Sequence, residues 1–354
     1  MKLLVRADAS SSIGVGHVMR CLALAQAWQE AGGSALFAMA EGAEALGERL
    51  AAEGMAVRPL QVEAGSVEDA RQTLALAERE QADWLALDGY RFDAEYQRRL
   101  TQGHSRLLML DDFGQASHYC ADLVLNQNAH ADAAFYPSRE ATTELLLGLD
   151  YALLRREFRH HPPQAKDPSQ PARHLLLTLG GGDPDNLTGR VIEELSGIDL
   201  PGLETIAVVG ASNPHRPRLE ALRRASDRQL QLRSNVADMN ELYAWADLAV
   251  TGGGSTLWEL AHLGVPAVTL ILAENQEPSS HRLDRMGAVR CLGEPRQLDP
   301  GAIAVAVARL CADPQQRRRL AERGRQLVDG QGAPRVVRRM LAALNQGDAA
   351  CTMS

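Results

Sequence analysis

A histidine that follows a glycine turn is the most reactive-looking group in this chain. Gly14-Val15-Gly16-His17 lies between a predicted strand, Lys2–Arg6, and a predicted helix, Val18–Glu30. A helix N-terminus disfavours the imidazolium, so a histidine there tends to be neutral and able to accept a proton. A positioned general base is worth about 10²–10⁴-fold in rate. The plainer reading is a histidine that braces the loop. Arg20, three residues on, shares roughly the same helix face and is a candidate substrate contact. Asp8 either orients His17 or caps a turn.

Two more glycine clusters follow predicted strands and precede predicted helices: Gly180-Gly181-Gly182-Asp183 and Gly252-Gly253-Gly254-Ser255. Glycine lets backbone come close to a ligand, and the N–H groups of the next helix suit a phosphate. None of the three is a G-x-G-x-x-G: Gly14 and Gly16 are followed by Met19. No convincing acidic ribose reader stands about 20 residues on, so a nicotinamide dinucleotide site is not expected. Together the turns point to a diphosphate ligand. Gly181 of the second cluster and Gly253, Gly254, Ser255 and Thr256 of Thr251–Pro266 are the candidate diphosphate contacts, and Glu259 of the same segment carries a carboxylate that can accept both hydroxyls of a ribose. Ser255 stands where a helix cap belongs. Glu274-Asn275-Gln276-Glu277 follows the next strand, at its ligand-facing end.

Other chemistry is disfavoured. The chain has 354 residues, 45% hydrophobic and 23% charged, which suits two folded domains. Its net charge of -8 argues against nucleic acid as a partner. Lys2 and Lys166 lie in no G-K-[ST] motif. The other nine histidines show no metal-ligand spacing, so no metal and no cofactor are expected. Asp111-Asp112, after a strand, suits a turn better than Mg²⁺. Five scattered cysteines without a C-x-x-C suit reduced thiols and a cytoplasmic location. No signal peptide and no membrane span are expected.

These groups need strands to position them. Apolar runs at Lys2–Arg6, Ala35–Met39, Ala56–Leu60, Trp84–Asp88, Arg106–Leu110 and Asp122–Leu125 alternate with helical stretches. After a Pro-rich polar stretch at 159–173 the alternation restarts, with strands at His174–Leu179, Thr205–Val209, Gln229–Arg233, Leu248–Thr251 and Ala267–Leu272. Helices are predicted near 216–224, 238–245, 255–263, 279–286 and 299–311, and the stretch 313–345 reads as helical. Continuous apolar runs between helices indicate parallel sheets covered on both faces. The predicted fold is α/β, GT-B-like: two doubly wound Rossmann-like domains facing a central cleft. Residues 1–158 form the first, 159–173 a linker, 174–345 the second, and 346–354 a mobile tail. The last helix is free to pack back on the first domain.

The motif Arg6-Ala7-Asp8-Ala9-Ser10 with Ile13-Gly14-Val15-Gly16-His17-Val18-Met19-Arg20-Cys21-Leu22 closely resembles the opening of the UDP-sugar hydrolases of pseudaminic acid biosynthesis. Asp88-Gly89-Tyr90, Asp111-Asp112, Asp122–Asn128, the 252–266 segment and Asn275-Gln276-Glu277 extend the resemblance over both halves. It implies cleavage of UDP-2,4-diacetamido-2,4,6-trideoxy-β-L-altropyranose by water into UDP and the free sugar, without metal. His17 would then be the base. Gly14, Gly16, Arg20, Tyr90, Asn275 and Gln276 would lie at the sugar, and the 252–255 turn and Glu259 at the UDP.

Overall fold

The computed structural model describes residues 1–9, 15–160, 171–180, 182–210, 213–226, 229–234, 236 and 238–351, with backbone alone at 45 and 346–351. Gly14, Gly181, Ser10–Ile13 and positions 161–170 of the expected linker lie outside the described residues.

The chain divides into two compact units, 1–159 with 330–354, and 160–329. The first is built on seven parallel strands. They are β1 (Lys2–Ala7), β2 (Ser34–Met39), β3 (Ala56–Pro59), β4 (Trp84–Asp88), β5 (Arg106–Leu110), β6 (Leu123–Asn126) and β7 (Glu144–Leu147). Their order is β3-β2-β1-β4-β5-β6-β7. The chain reverses direction across the sheet between β1 and β4, where Ala7 stands opposite Asp88. Alternate residues serve opposite faces. Leu3, Val5 and Ala7 pack with Trp28, Phe37 and Trp84, whereas Leu4 packs with Leu85, Leu87 and Met109.

The helix Gly16–Glu30 holds no Pro, and its Leu, Ala and Gln residues favour helix. It is apolar nearly all round, from Val18 through Trp28, because the sheet covers one side and the C-terminal helix Gly332–Cys351 another. Ala333, Val336, Val337 and Met340 of that last helix enter the same core as Trp28. The single helical stretch expected over 313–345 is two helices, Pro314–Leu327 and Gly332–Cys351, interrupted where Gly330 takes a positive φ of 79°. The second of them runs on into the expected tail.

The second unit carries six parallel strands: β8 (His174–Thr178), β9 (Glu204–Val208), β10 (Leu230–Arg233), β11 (Leu248–Gly252), β12 (Ala267–Leu270) and β13 (Arg290–Gly293). Their order is β10-β9-β8-β11-β12-β13, with the reversal between β8 and β11. Both units are therefore doubly wound, and each has one switch point, the place where open α/β sheets bind ligands. β7 and β13 were not expected. Both are four-residue strands beside one neighbour only, and Arg290 and Glu144 dilute their apolar runs.

Candidate functional site

His17 enters at the switch point of the first sheet, in the first turn of the helix that follows β1. Asp88, the last residue of β4, sits one strand away. The two meet: His17 Nδ1 lies 2.6 Å from Asp88 Oδ1, with the imidazole 7% exposed and the carboxylate 1%. A carboxylate here accepts the Nδ1–H and leaves the lone pair on Nε2, which makes Nε2 the basic nitrogen.

Arg20, one turn deeper on the helix, binds both acids of the cluster. Its Nε and one terminal nitrogen donate to the two oxygens of Asp88, each at 2.6 Å. The other donates to Asp112 Oδ1 at 2.7 Å. Asn128 Nδ2 donates to the same oxygen at 2.8 Å, and the Tyr90 hydroxyl to Asp112 Oδ2 at 3.0 Å. Burial alone would raise the Asp88 carboxyl, but Arg20 and then His17 outweigh it and hold it below the usual aspartate range. Asp112 is likewise held low against its burial, by Arg20 and Asn128. Burial opposes the charge on Arg20, yet Asp112 and Asp88 raise its guanidinium well above the ordinary arginine value. The two acids and the arginine form one ionised block behind the histidine.

Tyr90 is 45% exposed and meets the His17 ring edge-on at 4.9 Å between centroids. Phe113, 48% exposed, lies 5.5 Å from Tyr90. Asp111 is a turn residue. It accepts from the backbone N–H groups of Phe113 (2.8 Å), Gly114 (2.6 Å) and Gln115 (3.1 Å), and from the hydroxyls of Tyr119 and Tyr136. It thus fixes the loop that presents Phe113.

Of the two roles open to Asp8, orienting His17 or capping a turn, the structure gives it the turn. Asp8 accepts from the backbone of Ala40 and Glu41 and pairs with Arg6 at 2.8 Å, and Asp88 takes the orienting place instead. Sequence reading missed that role because 71 residues separate the partners. The available signal was an acid ending a strong apolar strand. From the sequence Asp112 reads as a turn residue beside Asp111, and Asn128 only as part of the Asp122–Asn128 motif.

In the second unit, the Gly252–Ser255 turn leaves β11 at the switch point and enters the helix Thr256–Leu263. Ser255 holds the N-cap position, but its side chain makes no capping hydrogen bond, so the expected cap is absent. Gln276 is spent on shaping this turn. Its Oε1 accepts from Gly253 N at 3.0 Å and from Leu272 N at 3.1 Å. A Cβ at Gly253 would run into Ser280 Oγ and Gln276, so only glycine fits there. Gly254 faces open space, its nearest neighbour being Gln276 Nε2 at 4.0 Å from where a Cβ would stand. Glu259, half-buried in the first turn, accepts from the Tyr243 hydroxyl at 2.6 Å, which fixes its carboxylate. Asn275 is exposed on the short helical turn Glu274–Gln276. After β8, Asp183 takes a left-handed φ of 41° and caps the next helix through Leu187 N and Thr188 N. Gly16 has no atom within 4 Å of a built Cβ, and Gly14 and Gly181 lie outside the described residues.

Residues 186–329 match the glycosyltransferase family 28 C-terminal domain. An uncharacterised protein of Methanocaldococcus jannaschii is 25% identical over 282 residues, 78% of this chain and 57% of that protein, so the chain spans less than two thirds of it. The spore coat polysaccharide biosynthesis protein SpsG of Bacillus subtilis is 27% identical, over 72% of this chain and 75% of its own. A UDP-2,4-diacetamido-2,4,6-trideoxy-β-L-altropyranose hydrolase of Campylobacter jejuni is 26% identical, over 81% of this chain and 97% of its own. Among solved structures, MurG of Acinetobacter baumannii superposes with a TM-score of 0.66 at 17% identity, covering 97% of this chain and 100% of that one. The rhamnosyltransferase SpnG, complexed with thymidine diphosphate, gives 0.61 at 17% identity with the same coverage. The fold is GT-B, and two of these relatives are by name a spore coat polysaccharide biosynthesis protein and a UDP-sugar hydrolase.

Proposed function

We propose that the chain hydrolyses a UDP-linked 2,4-diacetamido-2,4,6-trideoxy sugar at its anomeric carbon, the β-L-altropyranose being the substrate that the Campylobacter relative's name gives. The observation that carries this reading is the 2.6 Å contact between His17 Nδ1 and Asp88, which leaves Nε2 as the base. Water loses a proton to Nε2 while its oxygen bonds to C1. The bond from C1 to the diphosphate oxygen breaks, and UDP leaves with the electron pair. Attack opposite the leaving group inverts the anomeric centre. The imidazolium that forms lies against Asp88, whose carboxylate stabilises it without taking its proton. In the second unit, the partly exposed backbone of Gly254 and Ser255 and the N-terminal end of the helix Thr256–Leu263 are the groups proposed for the diphosphate, with Glu259 at the ribose. In the same reading Gly14, Gly16 and Tyr90 of the first unit, and Gly181 and Asn275 of the second, are candidate ligand contacts. No metal takes part in this scheme, because UDP is already a good leaving group.

A second reading is supported by the family 28 match: a transferase that hands the sugar to an acceptor hydroxyl. Both readings use His17 as base, and they part on the nucleophile. The test is UDP release by purified protein from the UDP-sugar in buffer alone. Hydrolysis predicts sustained turnover. Replacing His17 with Asn should lower it by about 10²–10⁴-fold and leave UDP affinity within a few-fold. Turnover that starts only on addition of an acceptor makes the chain a transferase, and a near-normal His17→Asn variant removes the general base.

A further inference from the structure

Three side chains of metal-ligand type meet on the first unit, none of them used in the His17 cluster. His118 and Cys120 flank Tyr119, which forms an isolated parallel bridge with Arg139. Two backbone hydrogen bonds hold this bridge, Tyr119 N to Ser138 O at 3.1 Å and Glu140 N to Tyr119 O at 3.0 Å. It carries Ser138 and Glu140 alongside the other two residues. His118 Nε2 lies 3.1 Å from Glu140 Oε1, and its Nδ1 lies 2.9 Å from Ser138 Oγ. One ligand atom from each of His118, Cys120 and Glu140 lies within 4.8 Å of the other two.

A tetrahedral zinc ion with bonds of about 2.0–2.3 Å spaces its ligands roughly 3.3–3.8 Å apart. The three side chains therefore need to draw in by no more than about 1.5 Å. Imidazole nitrogen, thiol sulfur and carboxylate oxygen together suit a borderline-soft divalent ion; a sulfur ligand is foreign to Mg²⁺ and Ca²⁺. The Ser138 hydroxyl can accept from Nδ1–H, which turns the Nε2 lone pair towards the ion, as outer partners of metal-bound histidines do. Among the described residues no other group of His, Cys, Asp and Glu gathers in this way.

We infer that His118, Cys120 and Glu140 bind one Zn²⁺-class ion, with water in the fourth position. The Cys120 proton passes to solvent as the sulfur–metal bond forms. The ion staples residues 118–120 to 138–140. Tyr119, between two of the ligands, donates its hydroxyl to Asp111 at 2.6 Å, so the staple also steadies the turn that presents Phe113.

The experiment is titration of tag-free, chelator-treated, reduced protein with ZnCl₂ by calorimetry, and with CoCl₂ by absorption. One equivalent should bind with a dissociation constant of about 10 μM or tighter, and Co²⁺ should show a thiolate charge-transfer band. Zn²⁺ should raise the melting temperature by at least about 2 °C. Cys120→Ser should abolish the cobalt band. His118→Gln and Glu140→Gln should each weaken Zn²⁺ binding about tenfold or more. These two lie at partly exposed positions and carry the test alone if the cysteine variant misfolds by circular dichroism. Absence of binding below about 1 mM overturns the inference. So does one-equivalent binding that survives both His118→Gln and Glu140→Gln.

Discussion

Asp88 determines which nitrogen of His17 is basic, and Arg20, followed by His17 itself, keeps Asp88 ionised against its burial. An Asp88→Asn variant keeps the shape but presents an amide to Nδ1, which allows the wrong tautomer. We expect kcat to fall about 10²–10⁴-fold with UDP affinity unchanged, read by steady-state kinetics beside a UDP titration. Asp112 supplies a pH test. Its folded-state carboxyl is depressed, so its stabilising contribution is complete above the ordinary aspartate value near pH ~4 and is lost as pH falls through the depressed value. Removing the charge with Asp112→Asn should cost about 3 kcal/mol at neutral pH. The gap between the two denaturation midpoints should narrow below about pH 4; a constant gap down to strong acid would refute the pairing. At this scale His17 was legible from its glycine turn. Asp88 was not, because its role exists only once β4 lies beside β1.

At the scale of elements, β1 is locked to the helix Val67–Glu80 by a fully buried pair. Arg6 donates twice to Asp69 at 2.9 Å, and Asp69 also accepts from Gly65 N, Thr73 and Tyr96. Burial opposes the Arg6 charge, yet the bonds to Asp69 and Asp8 raise it above the usual arginine value. Arg6→Met strands a buried carboxylate and should cost about 3–5 kcal/mol. Adding Asp69→Leu should restore part of that loss. Urea unfolding of both variants checks this, and a double variant no better than the single one would contradict it. The central strands were plain as apolar runs, from Leu3 to Val5 and from Trp84 to Leu87. The short outer strands β7 and β13 were not, since a strand with one neighbour tolerates a charged residue such as Glu144 or Arg290.

At the scale of the whole chain, the last helix belongs to the first unit although 170 residues of the second unit precede it. Its periodicity announces an apolar face but not the core which that face covers. Val336, Val337 and Met340 close over the helix Gly16–Glu30, which begins with His17. Deleting 330–354 exposes these partners and should cost several kcal/mol at about 1.5–3 kcal/mol per buried side chain. Calorimetry should show the first unit melting earlier while residues 160–329 melt as before. An unchanged first transition would contradict the packing.

The most direct measurement of the central claim is turnover of the UDP-sugar in heavy-oxygen water, with the UDP analysed by mass spectrometry and the sugar by NMR as it forms. Attack on C1 by water deprotonated at His17 predicts unlabelled UDP and a first-formed sugar of inverted anomeric configuration. Heavy oxygen in the terminal phosphate of UDP would place the attack at phosphorus and contradict the account.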